Sequence, residues 1–210
     1  MSVSGFDIDL PAGYRADDAL AFHGRDQTGL AEQVASDGIR KGVTLDGVPA
    51  VIDVVLDGDR AHCTVDAAHA RADTPALARA AVTSMLGLAI DPAVFAAAVR
   101  DDALLGPLVR QRPGLRVIQS ATVFEALTWA VIGQQINLSF AIALRHTFIE
   151  QAGRRHDSGL WCYPEAPEVA RLDLEQLTTR KFSRAKAETL LRQAQQRLGP
   201  WTVKIGRAHV

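Results

Sequence analysis

The sequence predicts an α+β fold: an amino-terminal antiparallel sheet carrying two helices, followed by an all-α portion. Three segments, Ile39 to Leu45, Val48 to Leu56 and Arg60 to Asp66, are separated by Asp46-Gly47 and by Asp57-Gly58-Asp59. Asp-Gly supplies the positive φ angles that tight hairpins need, so the three segments read as a meander. Two runs at helical spacing flank them. After Thr122 the strand pattern gives way to a succession of capped helical segments.

Phe6 to Leu10 alternates Phe6, Ile8 and Leu10 with Asp7 and Asp9, the period of a half-buried strand, and Pro11-Ala12-Gly13 ends it. Ala16 to His23 is a short helix with Asp17 and Asp18 at its positive end. Thr74-Pro75 opens the next, with Leu77, Ala81, Met85 and Leu88 at helical spacing. The order strand, helix, three strands, helix places the helices on one face of the sheet. Pro92 to Arg100 forms a further short helix, and Arg112-Pro113-Gly114 is the joint between two units. Beyond it, Thr122 and Glu125 make a capping box ahead of an apolar face of Phe124, Leu127, Val131 and Ile132, which Gln134-Gln135-Ile136-Asn137 interrupts. Phe140, Leu144 and Phe148 line a second helix ending at Gly153. A third begins at Asp173 with Gln176 three residues on. A fourth starts at Ser183 and lays Ala187, Leu190, Leu191, Ala194 and Leu198 along one side.

In 210 residues, 48% hydrophobic and 22% charged, the chain has no fibrous or disordered bias. Cys63 and Cys162 are the only cysteines and are far apart, which argues against a disulfide framework or a zinc site and fits a reducing cytoplasm. No leader pattern and no membrane-spanning apolar run is present. Net charge is −1, divided as −6 up to Gly153 and +5 from Arg154 onward. An acidic front and a basic back suit one end facing phosphates, and solvated helix faces give the same count. The sequence has no phosphate-binding glycine loop, no His-Glu-x-x-His and no nucleophile elbow. His62, in a strand, and His146, on a helix, read as satisfied structural histidines. No metal ligand set and no cofactor is expected.

One set of motifs goes further. Arg112-Pro113-Gly114-Leu115-Arg116, then Val123-Phe124-Glu125-Ala126-Leu127, then Ile132-Gly133-Gln134-Gln135-Ile136 resembles the AlkA-type 3-methyladenine DNA glycosylases of the helix-hairpin-helix superfamily. Tyr163-Pro164 and Phe182-Ser183-Arg184-Ala185-Lys186-Ala187 fit the same family. The resemblance implies residues 1–110 as an α+β domain like half of a TATA-binding protein and residues 111–203 as a partial helix-hairpin-helix glycosylase domain; residues 204–210 are expected to be a non-native tail. The resemblance also implies a cytoplasmic monomer, acting on double-stranded DNA that carries an alkylated base and making no membrane contact.

Such enzymes flip the target nucleotide out of the duplex and fill the gap with a side chain. The wedge turn falls on Gln134 and Gln135, and a pocket aromatic that attracts cationic alkylated bases falls on Phe22. From sequence alone, Phe22 reads equally well as a core residue, and Phe124 and Trp129 are assigned to the core. Arg184 and Lys186, with Arg180 and Lys181, are candidate phosphate contacts, or else a solvated basic helix start.

The family's chemistry rests on an aspartate past a Gly-rich hairpin, and no aspartate follows Asp173. Leu198-Gly199-Pro200-Trp201-Thr202 is similar to part of that hairpin but lies directly on the fourth helix. Ile205 to Val210 lacks any periodicity and coincides with the translation of a common sequencing-adapter oligonucleotide, so coding sequence is expected to end near Val203. The expectation is a hydrolytic glycosylase fragment without its catalytic aspartate, itself inactive. The alternatives are a non-catalytic module that binds distorted or damaged DNA, and a soluble α+β protein sharing only the scaffold.

Overall fold

The computed structural model describes residues 2–196; Leu198 and the stretch 204–210 lie outside the described residues. Five strands form one antiparallel sheet: β1 (Ser2–Asp9), β2 (Glu32–Val34), β3 (Gly38–Leu45), β4 (Val48–Asp57) and β5 (Arg60–Ala67), in the order β1-β5-β4-β3-β2. The β3–β4 ladder closes at Leu45↔Val48, leaving Asp46 and Gly47 as a two-residue turn with φ of +48° and +76°. Positive φ at both central residues is what a type I′ hairpin requires. The β4–β5 ladder closes at Asp57↔Arg60, with Gly58 at φ +59°. The meander is the one expected. Its edges are new: β1 returns beside β5, and the three-residue β2, too short to carry a period, sits beside β3.

Alternate residues of β3, β4 and β5, among them Ile39, Val43, Ala50, Ile52, Val54, Cys63 and Val65, face α1 (Ala16–His23) and α2 (Thr74–Met85). Ala19, Ala78, Ala81, Val82 and Met85 complete this core. A fully buried Ile52 or Met85 contributes roughly 1.5–3 kcal/mol of transfer free energy.

Two short helices follow, α3 (Pro92–Ala98), slightly shorter than expected, and α4 (Leu105–Gln111), whose Gly106-Pro107 start hides it in the sequence. Then come α5 (Val123–Gly133) and α6 (Leu138–Ala152), a small hairpin of β6 (Arg154–Arg155) and β7 (Trp161–Cys162), and α7 (Ala166–Val169), α8 (Leu174–Thr178) and α9 (Arg184–Gln195). Thr122, Asn137, Asp173 and Ser183 each accept a hydrogen bond from the backbone N–H three residues on, which fixes where four of these helices begin. A second core gathers Phe124, Ile132, Leu144, Phe148, Tyr163, Leu177, Ala187 and Leu190. Among the described residues no helix is long and apolar enough to cross a membrane.

Two expectations are corrected here. Phe140 is 37% exposed rather than part of the buried stripe of α6, where Ala141 and Arg145 join Leu144 and Phe148 instead. Glu125 does not close its capping box on Thr122; its carboxylate accepts from the Ala121 N–H and otherwise turns into the protein. The hairpin docks the helices onto the sheet: Tyr163 N–H donates to the Gly42 carbonyl and Thr44 N–H to the Tyr163 carbonyl. A Cβ on Gly42 would stand 2.0 Å from the Trp161 carbonyl oxygen, so this approach requires glycine.

Candidate functional site

Charge concentrates where the sheet meets the helices. Glu32 on β2 and Lys41 on β3 are direct cross-strand partners. The Lys41 Nζ donates to Glu32 Oε1 at 2.9 Å and to Glu125 Oε1, on α5, at 2.8 Å. Arg145 of α6 donates to Glu125 Oε1 at 2.6 Å and stands 3.8 Å from both Glu32 and Asp26. His23, at the end of α1, places Nδ1 2.6 Å from Glu32 Oε1 and Nε2 2.9 Å from the Met85 carbonyl oxygen. Both ring nitrogens thus face an oxygen, which fixes the orientation of the imidazole. His146 joins through Asp26 at 2.5 Å and Thr28 at 3.0 Å.

All of Glu32, Lys41, Glu125 and Arg145 are buried. Burial pushes the two glutamates toward the neutral form. Lys41, His23 and Arg145 together outweigh it at Glu32, as Lys41 and Arg145 together do at Glu125, and both are held below the ordinary carboxylate range. Arg145 is likewise held charged, because Glu125 and Glu32 overcome its desolvation. Tyr163, whose hydroxyl lies 2.8 Å from Thr128 Oγ1, is pushed up by burial.

The sequence reading missed this network. Its one visible sign is parity: Lys41 falls on the inward positions of β3 with Ile39 and Val43, and Glu125 falls on the buried side of α5 with Thr128 and Ile132.

A cavity of about 30 Å³ lies among these groups, room for a water or two and no more. Phe22, Ser120 and Trp129 line both this cavity and a more apolar cleft of about 440 Å³ beside it, whose walls include Ile118, Val123 and Leu127. That volume lies within the range of ligand pockets. Phe22 is half-buried and belongs to neither core. Arg25 lies over its ring, with Cζ 3.8 Å from the centroid, and His23 meets it edge-on at 5.1 Å. Trp129 is corrected from core residue to wall of the cleft: it packs half-buried against the second core and stands 5.5 Å from the Arg145 guanidinium. Phe124 is in the core, as expected.

Residues 9–121 of this chain, which include β3, the α2 helix and the Phe22 segment, match the model of the AlkA N-terminal domain. The chain belongs to the AlkA family. Two curated proteins of Bacillus subtilis (strain 168) are similar to it: YfjP, 34% identical over 84 residues, and a DNA-3-methyladenine glycosylase, 39% identical over 93 residues. These matches cover 40% and 43% of this chain but only 29% and 31% of the relatives' own length. The solved 3-methyladenine DNA-glycosylase from Archaeoglobus fulgidus shares the fold, with a TM-score of 0.73 and 22% identity over 92% of this chain and 67% of that one.

The remaining AlkA-type positions lie at the far end of α5. Gln134 caps the helix and Gln135 follows with φ +56°; both are exposed. Lys186 is turned inward, its Nζ donating to the Ile132 carbonyl at 2.8 Å, so it closes the carboxy-terminal end of α5 instead of standing free. Arg184 pairs with Glu188 at 2.8 Å on the exposed face of α9. Arg180 and Lys181 are exposed. Leu138 and Phe140, both exposed just after the glutamines, extend this surface with apolar groups that no helical period foretells.

Proposed function

We propose that this chain forms the base pocket and the wedge of a DNA glycosylase that flips an alkylated base, of the 3-methyladenine type, out of duplex DNA for hydrolytic excision in base-excision repair. One observation carries the reading: an apolar cleft walled by Phe22 and Trp129 lies beside one end of α5, and an exposed strained turn closes the other. A stacked base cannot be reached in the duplex, so extrusion needs both a receptacle and a space-filling group. Aromatic walls supply the first, since stacking a base on an aromatic side chain contributes about 1–3 kcal/mol. Gln134 and Gln135 supply the second.

Glu32 and Glu125 do not serve as the catalytic carboxylate in this reading. Each is committed to Lys41, and the cavity beside them holds only water-sized groups. A second reading stands beside the first, a module that binds damaged DNA without cutting it, because the buried carboxylates beside the pocket are both committed to Lys41.

Fluorescence anisotropy with labelled duplexes tests the shared premise. The chain is expected to bind a duplex bearing one alkylated base more tightly than its undamaged twin, and equal affinities would falsify both readings. Chromatography for released base then locates the chemistry: release assigns it to a carboxylate within this chain and excludes the module, whereas binding without release is the outcome expected of a pocket and wedge acting alone.

A further inference from the structure

Leu138 and Phe140 are 51% and 37% exposed in the first turn of α6, whereas Leu144, Phe148 and Ile149 further along the same helix are buried. Their place is tied to the wedge turn. Asn137 follows Gln134, Gln135 and Ile136 directly, and its side chain caps α6 by accepting a hydrogen bond from the Phe140 N–H at 2.9 Å. Every Cα–Cβ bond of an α-helix tilts toward the amino terminus, so side chains in a first turn lean back toward the residues that precede it. The Phe140 ring is thereby carried on the side of the exposed glutamines. The chain is acidic up to Gly153, yet no acidic residue occurs between Glu125 and Glu150. This stretch therefore adds no charge that would repel phosphates.

We propose that Phe140 stacks on the base left unpaired on the opposite strand once its partner has been flipped out. The inference rests on the wedge reading above. Extrusion leaves two defects, a gap in the damaged strand and a base across from it that has lost its partner. A glutamine fills space in the gap, but its narrow polar end supports the orphaned base poorly. A phenyl ring offers a flat apolar surface, and base–aromatic stacking accepts any sequence because every base has a π-face. An exposed phenylalanine beside the turn has that use, and one buried in the stripe of α6 would not.

A double-mutant cycle between protein and DNA tests this with the full chain. Fluorescence anisotropy compares three duplexes: undamaged, carrying one stable tetrahydrofuran abasic site opposite adenine, or carrying abasic sites on both strands at the same step. The second presents the orphaned base without calling on the base pocket, and the third lacks that base. Phe140→Ala is expected to weaken binding to the second by about fivefold to a hundredfold and to leave the third nearly unchanged. Phe140→Trp should keep the parent affinity for the second duplex. Phe140→Leu, which keeps apolar bulk without a flat face, should lose most of what alanine loses. Should thermal melts show Phe140→Ala misfolded, the leucine and tryptophan variants decide alone, and equal affinities of the two for the orphaned adenine overturn the proposal.

Equal loss on both abasic duplexes overturns it as well, since the ring then touches the backbone or groove instead of the orphaned base. Unchanged affinity on both does the same, as does self-association of the chain that Phe140→Ala abolishes, which would make this face a contact between copies. The wedge reading survives each of these results while the unsubstituted chain still prefers the singly abasic duplex to the undamaged one. Loss of that preference in the unsubstituted chain sinks the wedge reading and this inference with it.

Discussion

Replacing Lys41 with Met should be the most damaging single change at the junction of sheet and helices. The side chain is 2% exposed, and its ammonium bonds two carboxylates that are 7% and 3% exposed. Without it, Arg145 is the cation that Glu32 and Glu125 still share among the described residues. Removing one partner of a buried ion pair costs about 3–5 kcal/mol, because the desolvation of the other remains uncompensated. For a protein of this size each kcal/mol moves the melting temperature by about 2–4 °C, so a fall of roughly 6–20 °C is expected.

The pH dependence identifies the cause. In the parent chain both glutamates titrate below their unfolded values. Their contribution is therefore present above the ordinary carboxylate range and is lost as pH falls through the folded values. In Lys41→Met burial persists without its main counterweight, so the folded values rise. The variant then regains stability as pH drops and the carboxyls protonate. Calorimetric melts at neutral pH and near the unfolded carboxylate value should show a wide gap between parent and variant that narrows in acid. A gap of constant size would refute the electrostatic account and leave lost packing as the explanation. Adding Glu125→Gln to Lys41→Met should restore part of the loss at neutral pH.

Other substitutions probe single contacts. Gln135→Gly should stabilise the fold by about 0.5–1 kcal/mol by relieving the positive φ, yet weaken binding to lesion duplex more than to single strands; equal loss on both would count against a wedge. Lys186→Met should reduce discrimination for damaged duplex while the slope of log affinity against log salt stays put. A slope shallower by about 0.9 would make Lys186 a phosphate contact instead. Gly42→Ala forces a Cβ into the Trp161 carbonyl and should cost about 3 kcal/mol in denaturant unfolding; a near-silent change would mean that the hairpin does not hold the units together. Phe22→Ala should leave the melting temperature almost unmoved, since the ring lies outside both cores, and a large drop would return it to the core.

What was legible in the sequence follows from the range of the forces involved. Turns and caps are local chemistry, so Asp46-Gly47, Thr122, Asp173 and Ser183 mark their elements to the residue. Ala16–His23 is likewise bounded by its own composition. The small elements β2, β6, β7 and α7 exist through tertiary pairing and leave no period to detect. The buried network depends on four segments meeting, and each of its members has an ordinary local reading: Glu125 as a cap, Lys41 as a strand lysine, Arg145 as a polar helix residue. Lys186 looked like a phosphate contact because its partner, the Ile132 carbonyl, is 54 residues away.

These distant contacts give α5 a defined mechanical role. Near its amino-terminal end Glu125 is tied to the sheet through Lys41 and to α6 through Arg145. At its carboxy-terminal end the Ile132 carbonyl is tied to α9 through Lys186. Trp129 lies between, one turn from Glu125 on the same face. At 1.5 Å per residue, the nine steps from Glu125 to Gln134 span about 14 Å. The helix itself keeps that separation, and pinned at both ends it cannot shift against the sheet, α6 or α9 without breaking a buried ion pair or the Lys186 contact to the Ile132 carbonyl. Under the proposed function this is the needed property: the wall that receives the base and the turn that fills its place must keep a fixed distance while the DNA, not the protein, deforms. Binding energy is then directed into extruding the nucleotide, and loosening either anchor should lower lesion discrimination before it lowers overall DNA affinity.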